Sequence, residues 1–198
     1  MVIGIDFDNT IVNYDGLFSK VAAEVGLVPV TFRGSKTEIR DHLRAHGAGD
    51  DDWQRVQAEV YGRRIEAAPP FEGIREFLEQ CRMRSIPTHI VSHKSTHAPL
   101  DPLRTDLRAA AAKWLQRHDV RVESVHFEGS RAAKLARIAS LGCTHFVDDL
   151  EEIFLEPAFP DGVERWLFAP AHSSRGSGCR TVQSWRDLAD ELFGVRAR

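Results

Sequence analysis

Paired cysteines and long apolar runs are both missing from this sequence. The 198-residue chain has three cysteines, Cys81, Cys143 and Cys179, which are widely separated and form no CxxC pair. This pattern argues against a disulfide framework and against a structural zinc site, so we expect reduced thiols. No apolar run reaches the length needed to cross a bilayer, and no transmembrane segment is predicted.

Basic stretches and a secretory leader are missing as well. Asp6 interrupts the first apolar run after a few residues, so the start of the chain does not resemble a signal peptide and we expect a cytoplasmic protein. The formal net charge is −3, with no long basic stripe to suggest nucleic-acid binding. A hydrophobic content of 42% supports a full core, and the length allows one domain with an insertion.

Short apolar runs recur along the chain and alternate with helical patterns. This alternation predicts an α/β fold, in which a Rossmann-like parallel sheet joined by right-handed crossovers is flanked by helices. The predicted strands are residues 2–7, 87–92, 122–127, 144–149 and 164–169. The predicted helices of this part of the chain are residues 71–85, 103–118, 131–142 and 184–193.

Residues 13–70 show helical patterns and no strand pattern. Ser35 and Glu38 have capping-box spacing at the start of one helix, residues 35–47, and further helices are predicted at 17–26 and 51–67. We therefore predict a core domain formed by residues 1–12 and 71–198, with a small helical domain, residues 13–70, inserted after the first strand.

Polar residues follow several of the predicted strands. Ligands of open parallel sheets bind outside the carboxyl ends of the strands, so such residues share one neighbourhood even when they are far apart in sequence. These residues are Asp6 and Asp8 after the first strand, Ser92 after the second, Asp148 and Asp149 after the fourth, and Lys134 in the helix before the fourth strand.

The aspartates of this group suggest a metal site. Asp6 and Asp8 are two residues apart, so both can face one site. Two like charges held that close need a cation between them or a proton on one of them. With Asp148 as a third carboxylate, an all-oxygen site suits Mg²⁺ better than zinc, and Mg²⁺ commonly shares its ligand shell with a substrate phosphate.

The stretch DFDNT resembles the DxDxT signature of the haloacid dehalogenase-like (HAD) superfamily of phosphohydrolases. The strand-ending Ser92, the helical Lys134 and the acidic pair Asp148 and Asp149 follow in the order of the remaining motifs of that superfamily. The resemblance covers residues 1 to about 193 and implies the HAD fold, with residues 13–70 as a small helical cap.

The resemblance also implies catalytic roles. Asp6 matches the nucleophile that forms an aspartyl-phosphate, and Asp8 matches the acid and base that protonates the leaving group and then activates water. Ser92 and Lys134 match the residues that hold the transferring phosphoryl group. Thr10 is expected to brace Asp8.

Residues after the first and the fourth predicted strands match the family's metal site. The resemblance implies Mg²⁺ held by Asp6, by the backbone carbonyl of Asp8 and by Asp148. The compact stretch VDDLEEI leaves Asp149 and Glu152 as candidates for the supporting acid, and Asp149 is favoured.

Further phosphate contacts are expected from residues next to the motifs. Asn9 stands where the family frequently has glycine, and its backbone amide remains able to meet a phosphate, as Thr10 beside it is also expected to do. His93 and Lys94 begin an irregular stretch after Ser92, and cations near a phosphate site help to position it.

An acid at Asp8 favours hydrolysis of a phosphate ester, since the dehalogenases and phosphonatases of the family lack it. We predict a Mg²⁺-dependent phosphatase for a small phosphomonoester, such as a sugar phosphate or a nucleotide, with neither a nucleic-acid polymer nor a membrane as partner. Two alternatives stay open at this point, namely a phosphotransferase or mutase that uses the same intermediate, and a non-catalytic protein that binds a phosphorylated metabolite.

Overall fold

The computed structural model describes residues 1–170 and 178–194. In these residues the strands are β1 Ile3–Ile5, β2 Thr88–His93, β3 Ser124–Glu128, β4 His145–Asp148, β5 Glu164–Phe168 and β6 Arg180–Val182. The α-helices are α1 Leu17–Glu24, α2 Lys36–Ala45, α3 Asp50–Tyr61, α4 Ile74–Met83, α5 Leu107–Arg117, α6 Arg131–Ser140, α7 Glu151–Phe154 and α8 Trp185–Phe193, and a short 3₁₀ helix covers Ile65–Ala67.

The chain divides into two compact units. The sheet unit contains residues 1–12, 70–94 and 119–198, and the helical unit contains residues 13–69 and 95–118. The predicted core domain extends into residues 171–177 and 195–198, which lie outside the described residues.

The six strands found in the described part of the sheet unit run parallel, in the order β3-β2-β1-β4-β5-β6. The predicted Rossmann-like parallel sheet is therefore confirmed, with the five predicted strands in place. The sixth strand, Arg180–Val182, was not predicted, because three residues are too short to show a strand periodicity. Strand order reverses at β1, which is where ligands of doubly wound sheets bind.

Helices cover both faces of this sheet. Leu135 and Ile138 of α6 pack with Phe154 of α7 and Phe146 of β4 in one buried cluster. On the opposite face, Trp185 of α8 stacks on Phe168 of β5 at 5.2 Å, and Phe77 of α4 lies 5.0 Å from the same indole. Burial on both faces explains the short apolar runs at the centre of the sheet, such as Ile3–Ile5, Ile90 and Val91, and Phe146 and Val147.

Gly4 makes room for a close approach in the middle of the sheet. It pairs with Phe146 of β4, and a Cβ atom at position 4 would lie 2.6 Å from Phe146 Cδ2 and 3.0 Å from Cys143 Sγ. The space that a larger residue would need is thus occupied by the core itself.

The helical unit is held by aromatic contacts and well-formed helix ends. Phe18 of α1 stacks on Trp53 of α3 at 5.3 Å. The predicted capping box is confirmed, since Ser35 Oγ accepts the Glu38 amide and the Glu38 carboxylate accepts the Ser35 amide at 2.7 Å. Two backbone amides that α2 would otherwise leave unpaired are satisfied in this way.

Residues 95–118 group with the helical unit, although the sequence assigned them to the core domain. Trp114 of α5 is fully buried, and its indole N–H donates to the Ala68 carbonyl at 2.8 Å. Lys113 and Arg117 form ion pairs with Glu66. These contacts join α5 to residues 66–68, which lie about 45 positions earlier in the sequence. Helical periodicity carries no information over such a separation.

The identification of residues 13–70 as a cap stays a prediction.

The sequence predicted no transmembrane segment and reduced cysteine thiols, and both predictions can be compared with the described residues. None of the helices there is both long enough and apolar enough to cross a membrane. All three cysteines are free, and burial raises the pKa of Cys81 to about 12 and that of Cys143 to about 11.

We predict that Gly4→Ala lowers the free energy of unfolding by about 1–3 kcal/mol, because the added methyl group has no space beside Phe146. Urea denaturation measures the change. Combining Gly4→Ala with Phe146→Leu should cost less than the sum of the two single changes, since the smaller side chain relieves the clash. A strictly additive double variant would contradict the close approach.

Two histidines share one serine hydroxyl between β2 and β3. His89 Nδ1 lies 2.8 Å from Ser124 Oγ, and His126 Nε2 lies 2.7 Å from the same oxygen. Burial lowers the pKa of both histidines below the ordinary value of 6.5. The folded state therefore favours the neutral rings, and the contribution of these two histidines to stability is complete above about pH 6.5 and is lost as the pH falls.

We predict that these two histidines lower the free energy of unfolding, measured by urea denaturation, between pH 7.5 and pH 5.5, because rings that are neutral in the fold bind protons once the chain unfolds. Asp6, whose pKa burial raises to about 6, acts in the opposite direction, so the comparison is made with a variant that changes one histidine alone. His89→Gln retains a polar group beside Ser124 and cannot become charged, so its stability should fall less over this interval. Equal slopes for the two proteins would show that His89 does not contribute.

Candidate active site

Asp6 and Asp148 lie side by side at the carboxyl ends of β1 and β4. The Asp6 amide donates to the Val147 carbonyl at 2.9 Å, which continues the pairing of these strands by one residue. Gly4 is opposite Phe146, and side chains two residues further along each strand return to the same face. The register therefore brings the two carboxylates together over 142 residues of sequence.

Lys134 bridges these carboxylates. Its Nζ atom lies 2.6 Å from Asp6 Oδ1 and 2.6 Å from Asp148 Oδ2. The side chains of Lys134, Asp6 and Asp148 are only 3%, 7% and 0% exposed, so three charges are buried together. Bonds between ionised partners are among the strongest hydrogen bonds in proteins, and they offset part of the desolvation that this burial requires.

Helix α6 holds Lys134 in place. Ser130 caps the start of this helix, and its hydroxyl accepts the Ala133 amide at 3.1 Å. One turn after Lys134, Arg137 donates to the Glu128 carboxylate at 2.8 Å, which ties α6 to the end of β3. The position of the ammonium group thus depends on a helix cap and on one further ion pair.

The charges of this cluster shift the pKa values of its members. Burial raises the pKa of Asp6 to about 6; the Lys134 ammonium acts against this shift, and the nearby Asp148 charge adds to it. Burial alone would lower the pKa of Lys134, but the carboxylates of Asp6 and Asp148 outweigh it and raise that pKa above its ordinary value. Lys134 is therefore a permanent cation at neutral pH.

A third carboxylate completes a group that could hold a metal ion. Carboxylate oxygens of Asp6, Asp148 and Asp149 lie within 4.8 Å of one another. An all-oxygen donor set with two buried members suits a hard cation such as Mg²⁺. Asp148 Oδ1 also accepts the Leu150 amide at 3.0 Å, which orients this carboxylate, whereas Glu152 is exposed. Of the two candidate supporting acids, Asp149 is the one in this group.

The residues after β1 form a tight turn. The Phe7 carbonyl accepts the amides of Ile11 and Val12 at 3.0 and 3.1 Å, and Asn9 adopts a left-handed conformation with φ of 60°. Asparagine tolerates this conformation better than most residues with a side chain. Asp8, in the same turn, is half-buried.

The expected brace from Thr10 to Asp8 is not formed. Thr10 is fully buried, and within the described residues its hydroxyl has no hydrogen-bond partner. Its backbone carbonyl instead accepts the Trp185 indole N–H at 3.2 Å. Thr10 thus anchors the turn to α8 through its main chain, and its predicted contact with phosphate stays a prediction.

Lys94 is the residue that holds Asp8. Its Nζ atom lies 2.7 and 3.0 Å from the two carboxylate oxygens of Asp8, and its side chain is 3% exposed. The sequence suggested Lys94 as a phosphate contact and contained no signal for this ion pair, which joins residues 86 positions apart. Ser92 is buried at the end of β2, and His93 beside it is exposed.

Comparisons with known proteins identify the architecture. No protein-family model matches the chain, and no curated protein sequence matches it. Many chains of known structure match, however, and three of them are described below.

A HAD family hydrolase from Deinococcus radiodurans, with bound phosphate and sodium, is 17% identical and has a TM-score of 0.66, with 98% of this chain and 95% of that chain covered. CbbY from Rhodobacter sphaeroides, in complex with xylulose bisphosphate, is 14% identical over 94% and 95% of the two chains, with a TM-score of 0.57. YfnB from Bacillus subtilis, bound to magnesium, is 10% identical over 96% and 97%, with a TM-score of 0.58. The chain has the HAD fold.

The resemblance predicted from the motifs is thus confirmed at the level of the fold. In this HAD fold, Asp6, Lys134, Asp148 and Asp149 come together at the carboxyl end of the sheet, and Asp8 lies in the adjoining turn. At these low identities the comparisons establish architecture alone, so the roles of individual residues stay predictions.

We predict that Lys134→Met lowers the free energy of unfolding by about 3 kcal/mol, because it leaves two buried carboxylates without their cation. The matched control is Lys113→Met, which removes a lysine whose side chain is 71% exposed and should change stability by less than about 1 kcal/mol. Urea denaturation in metal-free buffer measures both variants. Equal effects would contradict a structural requirement for the buried ammonium.

Proposed function

We propose that this protein is a Mg²⁺-dependent phosphatase that hydrolyses a small phosphomonoester through an aspartyl-phosphate on Asp6. The observation that carries the proposal is the arrangement of two carboxylates after one strand. Asp6 is bonded to the buried Lys134 and lies within the acidic group, whereas Asp8 is bonded to a separate ammonium, that of Lys94. Two carboxylates in different surroundings can perform different tasks.

Asp6 is the nucleophile in this proposal. A carboxylate oxygen of Asp6 attacks phosphorus, the bond from phosphorus to the leaving oxygen breaks, and an acyl phosphate forms on the enzyme. Lys134, 2.6 Å from Asp6, keeps the carboxylate oriented and offers positive charge to the equatorial phosphoryl oxygens.

Asp8 serves both halves of the reaction. Asp8 enters the first half carrying a proton taken up from solvent or retained from the previous turnover, and gives it to the departing alkoxide. In the second half, the Asp8 carboxylate takes a proton from the water that attacks the phosphorus of the intermediate, which restores the acid. Water then supplies the oxygen of inorganic phosphate, and Asp6 is regenerated. The side chain of Asp8 is 19% exposed, which leaves part of it open to a substrate.

Asp6, Asp148 and Asp149 would hold Mg²⁺, with the backbone carbonyl of Asp8 as a further ligand. When bound, Mg²⁺ neutralises negative charge on the carboxylates and on the phosphoryl group. Ser92 and the amide of Asn9 are the proposed contacts for the phosphoryl oxygens, and the exposed His93 is a proposed contact for the substrate.

The substrate class in this proposal is a small phosphorylated metabolite. Phosphate is bound in the Deinococcus radiodurans hydrolase and xylulose bisphosphate in CbbY, both of which share the fold. Sugar phosphates are therefore the first group to test, and nucleotides are the second.

We expect purified protein to release inorganic phosphate from at least one member of such a panel in the presence of Mg²⁺, and to lose this activity in EDTA. Asp6→Asn should lower kcat by roughly three orders of magnitude, because an amide is a poor nucleophile. Asp119→Asn is the matched control, because Asp119 is exposed and does not belong to the acidic group of Asp6, Asp148 and Asp149. The activity of this variant should equal that of the wild type.

Three other outcomes of this assay would each contradict part of the proposal. Phosphate release that survives Asp6→Asn undiminished would exclude the covalent route. Transfer of the phosphoryl group to an added alcohol in preference to water would identify a phosphotransferase. Tight binding of a panel member without turnover in Mg²⁺ would identify a binding protein.

A further inference from the structure

A second buried lysine lies at the site, and it contacts the acid rather than the nucleophile. Lys94 donates to both carboxylate oxygens of Asp8, at 2.7 and 3.0 Å. A contact to both oxygens fixes the rotation of the carboxylate as well as its position, whereas a contact to one oxygen would fix the position alone.

Lys94 is itself held firmly. Its backbone amide donates to the Glu128 carbonyl at 2.9 Å, and the Glu128 carboxylate accepts the Arg137 side chain. The ammonium group also lies 5.3 Å from the centre of the Phe7 ring, a cation–π distance, and the side chain is nearly fully buried. A lysine restrained at its main chain and at its ammonium has little freedom to follow a substrate.

The residue expected to brace Asp8 does not do so. The hydroxyl of Thr10 makes no hydrogen bond within the described residues, whereas Lys94, directly after the neighbouring strand β2, contacts both carboxylate oxygens of Asp8. The side chain of Asp8 is 19% exposed and that of Lys94 is 3% exposed, which is the pattern expected for a reacting group and its support.

We infer that Lys94 is a positioning residue that acts through Asp8, holding its carboxylate in the orientation needed for proton transfer to the leaving group. This inference rests on the proposed phosphatase function. It differs from the expectation drawn from the sequence, in which Lys94 contacts the substrate phosphate directly.

The two roles predict different dependences on the leaving group. An alkoxide leaves only if it receives a proton, whereas dinitrophenolate leaves without one. A residue that acts through Asp8 is therefore needed to phosphorylate Asp6 from an alkyl phosphate but not from dinitrophenyl phosphate. A residue that binds the phosphoryl group is needed for both substrates.

The test measures phosphorylation of Asp6 by rapid quench in Mg²⁺, with the best alkyl phosphate of the panel and with dinitrophenyl phosphate. For Lys94→Met we expect a loss of about 100-fold in the phosphorylation rate with the alkyl phosphate and less than about threefold with dinitrophenyl phosphate. Burst amplitude counts active sites, so each rate constant refers to folded protein alone. Lys113→Met should match the wild type with both substrates.

Two further variants complete the test. In an Asp8→Asn background, Lys94→Met should cause no additional loss, because the group through which it acts is already gone. Lys94→Arg should recover more of the alkyl phosphate rate than Lys94→Met, since a guanidinium can also contact both oxygens of a carboxylate.

The inference is overturned if Lys94→Met slows both substrates equally, if it raises KM for both, or if its effect adds fully to that of Asp8→Asn. Wild-type protein that forms no phosphoenzyme with either substrate would refute the proposed function itself. A phosphorylated wild type together with a Lys94→Met variant that behaves like Lys113→Met would refute this inference alone.

Discussion

The bridge from Lys134 to Asp6 and Asp148 is the interaction on which the rest of the site depends. Three charges are buried there at almost no exposure, and the ammonium offsets the cost of burying the two carboxylates side by side. The sheet supplies the carboxylates through the register of β1 and β4, and α6 supplies the lysine. Strands β1 and β4 and helix α6 together hold the Lys134 ammonium 2.6 Å from an oxygen of each carboxylate.

Buried charge also divides the site into two parts. Asp6 shares a lysine with Asp148 and stands in the acidic group, whereas Asp8 has a lysine of its own from the end of β2. In the proposed mechanism, the first aspartate attacks phosphorus and binds the metal, and the second transfers protons. A difference in partners, rather than a difference in residue type, separates two side chains that are only two positions apart.

Local sequence patterns predicted the features that depend on neighbouring residues. The capping box of Ser35 and Glu38 could be predicted because its partners are three residues apart. The central strands could be predicted because burial on both faces gives each of them a short apolar run. Strand β6 and the association of α5 with residues 66–68 could not be predicted from such patterns. The first is too short to show a period, and the second depends on a hydrogen bond between Trp114 and Ala68.

The sequence by itself determined the order of strands and helices, the presence of aspartates at a strand end and the resemblance that they carry. The tertiary structure decided which charges meet. Asp6 reaches Lys134 across 128 residues, and Asp8 reaches Lys94 rather than the hydroxyl of Thr10 two residues away. Such pairings follow from strand register and from the desolvation of buried groups, and both arise only when distant segments pack together.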